Sequence, residues 1–152
     1  MLTMTISQRG KFGILKPNPH AGILLDTHAL LWWQADVDRL SPKARRTIDS
    51  ATRILVSTIS FWELTMLLEK GRISLDRPTN VWVVDFLATD RVQVAELTPS
   101  VAIGAGELVG FHGDPADRMI VATAKSLRVP LVSKDDKIHA HAKSDHGLTV
   151  VW

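Results

Sequence analysis

The stretch Ile23-Leu24-Leu25-Asp26-Thr27-His28-Ala29-Leu30-Leu31-Trp32-Trp33 decides how this chain is read. The apolar triplet Ile23-Leu24-Leu25 reads as a buried strand, and the residues that carry Trp32 and Trp33 read as a short helix. A single carboxylate, Asp26, stands at the junction. In open sheets built from strand–helix units, ligands bind beyond the carboxyl ends of the strands, where this acid falls.

Working outward, the alternation continues. Ser41-Pro42 marks a helix start with proline in the first turn, running to about Ser50. Ile54-Leu55-Val56 is a second strand, after which Ser60 is expected to open a helix reaching about Lys70 and closed by Gly71. A helix is expected over 78–88, a third strand at Val92-Gln93-Val94, and helices starting at Thr98-Pro99 and Asp114-Pro115, the latter running to about Arg128. Leu131-Val132-Ser133 is a fourth strand and 148–151 a fifth. This order predicts an α/β fold with a mainly parallel central sheet of four to five strands. Residues 1–21, with the extended Pro17-Asn18-Pro19, read as a flexible N-terminal tail, and one domain is expected over 22–152.

A chain of 152 residues fits one domain and can bury a core without disulfides or a structural metal. It has no cysteine, which excludes disulfides and thiolate zinc sites and permits a reducing cytoplasm. Eighteen basic against sixteen acidic residues leave a formal charge of +2, too little to grip nucleic acid by charge alone. Any RNA binding must be local and metal-assisted. No apolar run approaches a membrane span, and the first residues lack the apolar core of a signal peptide. A cytoplasmic protein is expected.

Four acids fall near strand ends. Asp26 follows the first strand, and Asp135 follows the fourth by one residue. Glu63 and Asp117 are expected in the first turns of their helices. Each has a plain structural explanation: Ser60-Phe61-Trp62-Glu63 would make a capping box, and Asp117 stands third after the expected cap Asp114. Helical position argues further. At ~100° per residue, Asp117 shares a stripe with Ile120, Val121 and Ala124, while Arg118 and Lys125 fall on the solvent side. Glu63 likewise lies between Met66 and Leu67. Two like charges ~4 Å apart repel by ~4 kcal/mol at an effective dielectric of ~20, so several acids on one rim need a compensating charge. No lysine or arginine is an obvious shared partner. A hard divalent ion, Mg²⁺ or Mn²⁺, answers the oxygen-only donor set. Such a site suits in-line displacement at a phosphoryl group. With no P-loop glycine pattern, phosphodiester hydrolysis is the natural chemistry.

The histidines carry less. His28 and His112 could approach the rim in a supporting role, while His139 and His141, two apart, make a poor metal pair on a helix. Asp136 reads as solvated, though it could exchange roles with Asp135.

Four segments then resemble, in order, the motifs of PIN-domain ribonucleases, in particular VapC-like toxins of type II toxin–antitoxin systems. They are Leu24–Trp33, Ser57–Leu64, Asp114–Ala124 and Leu131–Asp135, and together the likeness spans about 22–151. The resemblance implies a three-layer α/β/α fold and endoribonuclease activity. It implies Mg²⁺ or Mn²⁺ held by Asp26, Glu63, Asp117 and, less tightly, Asp135, with Thr27 and Ser133 in support. It also implies a homodimer and a cognate VapB-like antitoxin. Ser133 stands where threonine is common in the fourth motif.

Alternatives on the same fold are a non-catalytic RNA- or protein-binding module and a DNA-directed nuclease. A dehalogenase-type phosphatase would need a second aspartate at His28, and a receiver domain would need one after the third strand, where Ala95-Glu96 stands. Trp62 and Leu67 read as core. Adjacent helical residues diverge by ~100°, so Trp32 and Trp33 cannot both point inward. One of the pair is expected to be partly exposed near Asp26 and to anchor a protein partner.

Overall fold

A computed structural model describes residues 22–152; the expected tail at residues 1–21 lies outside the described residues. Strand β1 (Ile23–Leu25) leads into α1 (Thr27–Ala35), a 3₁₀ turn at Val37–Arg39 and α2 (Pro42–Ser50). Strand β2 (Ile54–Ser57) runs into α3 (Thr58–Glu69), and α4 (Thr79–Leu87) precedes β3 (Val92–Ala95). Then come α5 (Pro99–Gly106), α6 (Pro115–Leu127), β4 (Leu131–Val132), α7 (Asp136–Ala142) and β5 (Val150–Val151).

The sheet order is β3-β2-β1-β4-β5, and every neighbouring pair is parallel. Register aligns Leu25 with Val56 on one side and Val132 on the other. The next residues, Asp26, Ser57 and Ser133, therefore stand in a row on the carboxyl edge. Chain order reverses across β1, so Asp26 sits at the topological switch where a ligand crevice opens.

Period-two side-chain alternation splits the core into two layers. Ile23, Leu25, Ile54, Val56 and Val132 pack with Ala29, Leu30, Ala44, Ile48 and Phe86 from α1, α2 and α4. Leu24, Leu55 and Leu131 face the other way, onto Ile120, Val121 and Ala124 of α6 and Ile138 of α7. Helices thus cover both faces, giving the three-layer α/β/α architecture. Gly22 opens β1 at φ +97°, and a Cβ there would meet the Arg53 carbonyl oxygen at 2.6 Å, so glycine is required.

Several boundaries differ from the sequence reading. α3 begins at Thr58, because the Ser57 hydroxyl accepts the Ile59 N–H and caps it. Ser60 is therefore no cap, no Ser60–Glu63 capping box forms, and Glu63 lies in the second turn. The segment after β4, left unassigned by periodicity, is α7, capped by Asp135. Trp62, expected in the core, is 52% exposed. Arg118, expected in solvent, is half-buried. Among the described residues, no helix is long and apolar enough to cross a membrane.

Candidate active site

Asp26 ends β1 and caps α1, its Oδ1 accepting the Ala29 N–H at 2.7 Å. It is 7% exposed. Burial pushes its pKa up, against hydrogen bonds from Ser133 and Ala29, and the nearby charge of Asp135 pushes the same way. Ser133, fully buried, also accepts the Asp135 N–H at 3.1 Å, so one hydroxyl ties the first acid to the fourth. Asp135 in turn caps α7 by accepting from Ile138 N–H at 2.9 Å.

Thr27 is the hinge to Glu63. Its hydroxyl donates to Glu63 Oε1 at 2.5 Å and lies 3.0 Å from Ser60 Oγ. Desolvation raises the Glu63 pKa, the Thr27 hydrogen bond opposes it, and Asp114 and Asp26 add to the rise.

Asp117 is held by α6. Asp114 caps that helix by accepting the Asp117 N–H at 3.0 Å, while the Asp114 N–H donates to His112 Nδ1 at 3.3 Å. His112 Nε2 then carries the ring proton and lies 3.2 Å from Asp117 Oδ2. That contact is one of proximity, since the N–H direction leaves Nε2 without a formed hydrogen bond. Desolvation and the charges of Asp114, Asp135, Glu63 and Asp26 raise the Asp117 pKa to about 7. The same segment is fixed by Arg118. Its guanidinium donates to five backbone carbonyls: Ala105 at 2.9 Å, Leu108 at 3.0 Å, Phe111 at 3.1 Å, His112 at 3.2 Å and Gly106 at 3.3 Å. A guanidinium has five N–H donors, so this one is saturated.

Asp26, Glu63, Asp117 and Asp135 wall one pocket of about 450 Å³, together with Thr27, His28, Trp32 and Lys134. Asp114 and Asp136 line it as well. Ser133 is buried behind Asp26. Among the described residues, no lysine or arginine forms an ion pair with any of the four acids. His139 and His141 turn elsewhere: His139 Nε2 lies 2.7 Å from the Ser133 carbonyl oxygen, and His141 Nε2 lies 3.1 Å from Asp145 Oδ2. The Lys125 ammonium also reaches Asp145 instead of solvent.

A more voluminous cavity adjoins this pocket. It is a groove of about 860 Å³ running past Trp32, Arg39, Arg72 and Trp82, and it meets the acidic pocket at His28 and Trp32. The chemistry belongs to the smaller pocket, where the carboxylates are. Trp32 and Trp33 are both half-buried. Trp32 lines both cavities, whereas Trp33 packs edge-on against Phe86, with ring centroids 6.5 Å apart.

Carboxylate oxygens dominate the donors that line the pocket, which suits a hard cation. Among the described residues, no three acids or histidines stand as a ready-made cation cage. Mg²⁺ binds through one or two carboxylates and keeps several waters, so carboxylates spread around a pocket fit it where a tight cage would not be needed. The sequence reading missed Arg118 and Lys134. Each adjoins a candidate acid in the chain, and that adjacency was the available signal.

The sequence model of the PIN domain matches residues 23–144. Ribonuclease VapC22 of Mycobacterium tuberculosis is 41% identical over 120 residues, 78% of this chain and 91% of that protein. Solved structures with the same fold include VapBC-1 from nontypeable Haemophilus influenzae, with a TM-score of 0.60 and 18% identity over 84% of this chain and 95% of that one. VapBC2 from Rickettsia felis, bound to a promoter DNA fragment, gives a TM-score of 0.59 at 15% identity, over 84% and 96%. VapBC-5 from Mycobacterium tuberculosis gives 0.58 at 16%, over 86% and 97%. A sequence match over most of the chain, joined to a parallel sheet with acids along its carboxyl edge, leaves one assignment: the chain belongs to the PIN-domain family, of the VapC type.

Proposed function

We propose that the protein is a Mg²⁺- or Mn²⁺-dependent endoribonuclease and the toxin of a toxin–antitoxin pair. The observation that carries this is the single pocket walled by Asp26, Glu63, Asp117 and Asp135, where burial and neighbouring carboxylates lift the Asp117 pKa to about 7. A pocket that concentrates negative charge without a lysine or arginine ion pair is built for a cation. The likeness to ribonuclease VapC22 supports RNA as the substrate.

Asp26, Glu63 and Asp117 would hold the ion, one or two of them directly and the rest through its retained waters, with Asp135 contributing less tightly. When bound, it would supply an activated water and Lewis-acid stabilisation of the charge that builds on the phosphoryl group during in-line attack. Thr27 fixes the rotamer of Glu63, and Ser133 fixes Asp26 relative to Asp135. His112 lies against Asp117 on the side facing the Asp114 turn. A cytoplasmic site of action is the expectation that goes with an RNA substrate.

The VapBC likeness makes a VapB-like antitoxin the expected partner, and the resemblance of the four motifs adds a homodimer as the expected assembly. Trp32 is the expected antitoxin contact, because it lines the groove beside the acids and Trp33 does not.

The test is incubation of the purified protein with total RNA, and separately with plasmid DNA, in Mg²⁺, Mn²⁺ or chelator. RNA cleavage with either metal, none in chelator and none by Asp26→Asn or Asp117→Asn is expected. Full RNA cleavage in chelator, or cleavage of DNA alone, would overturn the reading.

A further inference from the structure

Trp32 forms a ridge between the two cavities. A cation lies over its indole from each one. The Lys134 ammonium is 5.8 Å from the ring centroid and lines the acidic pocket. The Arg39 guanidinium is 4.9 Å from it and lines the groove. Neither makes an ion pair among the described residues. Cation–π attraction holds each charge over the ring but neutralises neither. Two unanswered positive charges at one ridge, beside a pocket of acids, suit a polyanion that passes over the ridge and enters the pocket.

Lys134 is not a mobile loop residue. Its neighbours are Ser133, buried and bonded to Asp26, and Asp135, which caps α7. The backbone at Lys134 is therefore pinned to the carboxyl edge of the sheet. Arg39 closes the 3₁₀ turn that follows α1, so both cations are referred to the helix that carries Trp32.

We propose that the RNA strand crosses the Trp32 ridge, with Lys134 holding a phosphate beside the scissile one and Arg39 holding a phosphate on the groove side. This rests on the ribonuclease reading and adds the path of the substrate to it. The strand is single. Asp26 is 7% exposed in a pocket of about 450 Å³, and a rigid duplex cannot carry its backbone down to such an acid. Phosphate contacts of this kind position the strand without reading its sequence. Sequence preference must come from other parts of the surface.

Each lysine or arginine that neutralises a phosphate of a single strand adds about 0.7 to the steepness of log affinity against log salt. The experiment measures binding of a short fluorescein-labelled single-stranded RNA by anisotropy across a potassium chloride series in chelator. Mg²⁺ or Mn²⁺ is then added to the same samples to read cleavage. Lys134→Ala and Arg39→Ala should each lower the slope by about 0.7, and the double variant by about 1.4. Arg128→Asn, at the opposite edge of the sheet, should leave it unchanged. Slopes equal to the parent's in both single variants overturn the proposal. So does an unchanged slope accompanied by weaker binding of the antitoxin, which would assign these cations to the protein partner. A parent that binds and cuts RNA while the variants keep its slope defeats this path alone. A parent that neither binds nor cuts RNA defeats the ribonuclease reading and the path with it.

Discussion

The hydroxyl of Thr27 donates to Glu63 Oε1 at 2.5 Å, joining the first residue of α1 to the second turn of α3 across 36 positions of sequence. Glu63 thus belongs to the Asp26 side of the pocket and not to the cap of its own helix. A hydrogen bond to a charged group is worth about 1.5–3 kcal/mol. Thr27→Val keeps the branched shape at a buried position and removes the donor. We expect cleavage to fall by roughly ten- to a hundred-fold and the melting temperature to drop by several degrees, as read by RNA cleavage and thermal denaturation. An unchanged rate would show that Glu63 is held by other means.

Asp117 makes stability depend on pH. Its folded pKa of about 7 stands above the unfolded value of 3.8, so the folded protein keeps a proton that the unfolded chain has lost. The resulting cost is absent below about pH 4, grows as pH rises, and is complete above about pH 7. Asp117→Asn cannot ionise and escapes it. In chelator at pH 8 the variant should be more stable than the parent by about 2 kcal/mol, after discounting the shift for solvent screening. At pH 4 the two should coincide. Urea unfolding at both pH values decides the matter, and a variant less stable at pH 8 would mean that a cationic group on the chain already satisfies Asp117.

Metal should reverse that cost. An ion that binds only the folded state adds about 2.7 kcal/mol at a hundred times its dissociation constant. Titrating Mn²⁺ into the parent at pH 8 should raise the melting temperature. The combined variant Asp26→Asn/Asp117→Asn should show no such rise. An equal rise in both proteins would place the ion elsewhere.

Arg118 spends its full set of donors on carbonyls between Ala105 and His112. Arg118→Lys keeps the charge but lacks the planar fork. It should cost about 2–4 kcal/mol of stability, because several half-buried carbonyls lose their partners at once. Hydrogen exchange should quicken in residues 106–113, and cleavage should fall with the loosened His112–Asp117 contact. Unaltered exchange in that segment would show that the loop holds its own shape.

The two tryptophans should separate. Trp33→Ala removes a ring packed on Phe86 and should cost stability by about 2 kcal/mol with little effect on antitoxin binding. Trp32→Ala should weaken the antitoxin complex by about 2 kcal/mol or more if it is a hot spot. Calorimetric titration of both variants with the cognate antitoxin tests this, and equal affinities would remove Trp32 from the interface.

What the sequence determined by itself was whatever depends on near neighbours. Apolar triplets such as Ile23-Leu24-Leu25 marked the strands, because a strand buried on both faces has no polar side to show. Ser41-Pro42, Thr98-Pro99 and Asp114-Pro115 marked helix starts, because capping is satisfied within three residues. Asp26 was legible as an acid directly after its strand and Asp135 as one just past Lys134 at the end of the fourth, and parallel pairing sends such positions to a single edge. Tertiary structure decided what depends on distant partners. Ser57, not Ser60, caps α3, and Ser60 is drawn to Thr27, 33 residues away. Arg118 looked solvent-facing on the helical wheel, yet the end of α5 and the loop after it fold over it and offer five carbonyls. The periodicity of Asp136–Ala142 is too short to announce a helix, and it forms because Asp135 caps it and Ile138 finds the core. Arg39 and Lys134 lie 95 positions apart, and no local pattern could bring them to one indole. Local rules act over a turn or a strand, whereas shared charge, burial and a common ring are settled only when the layers pack.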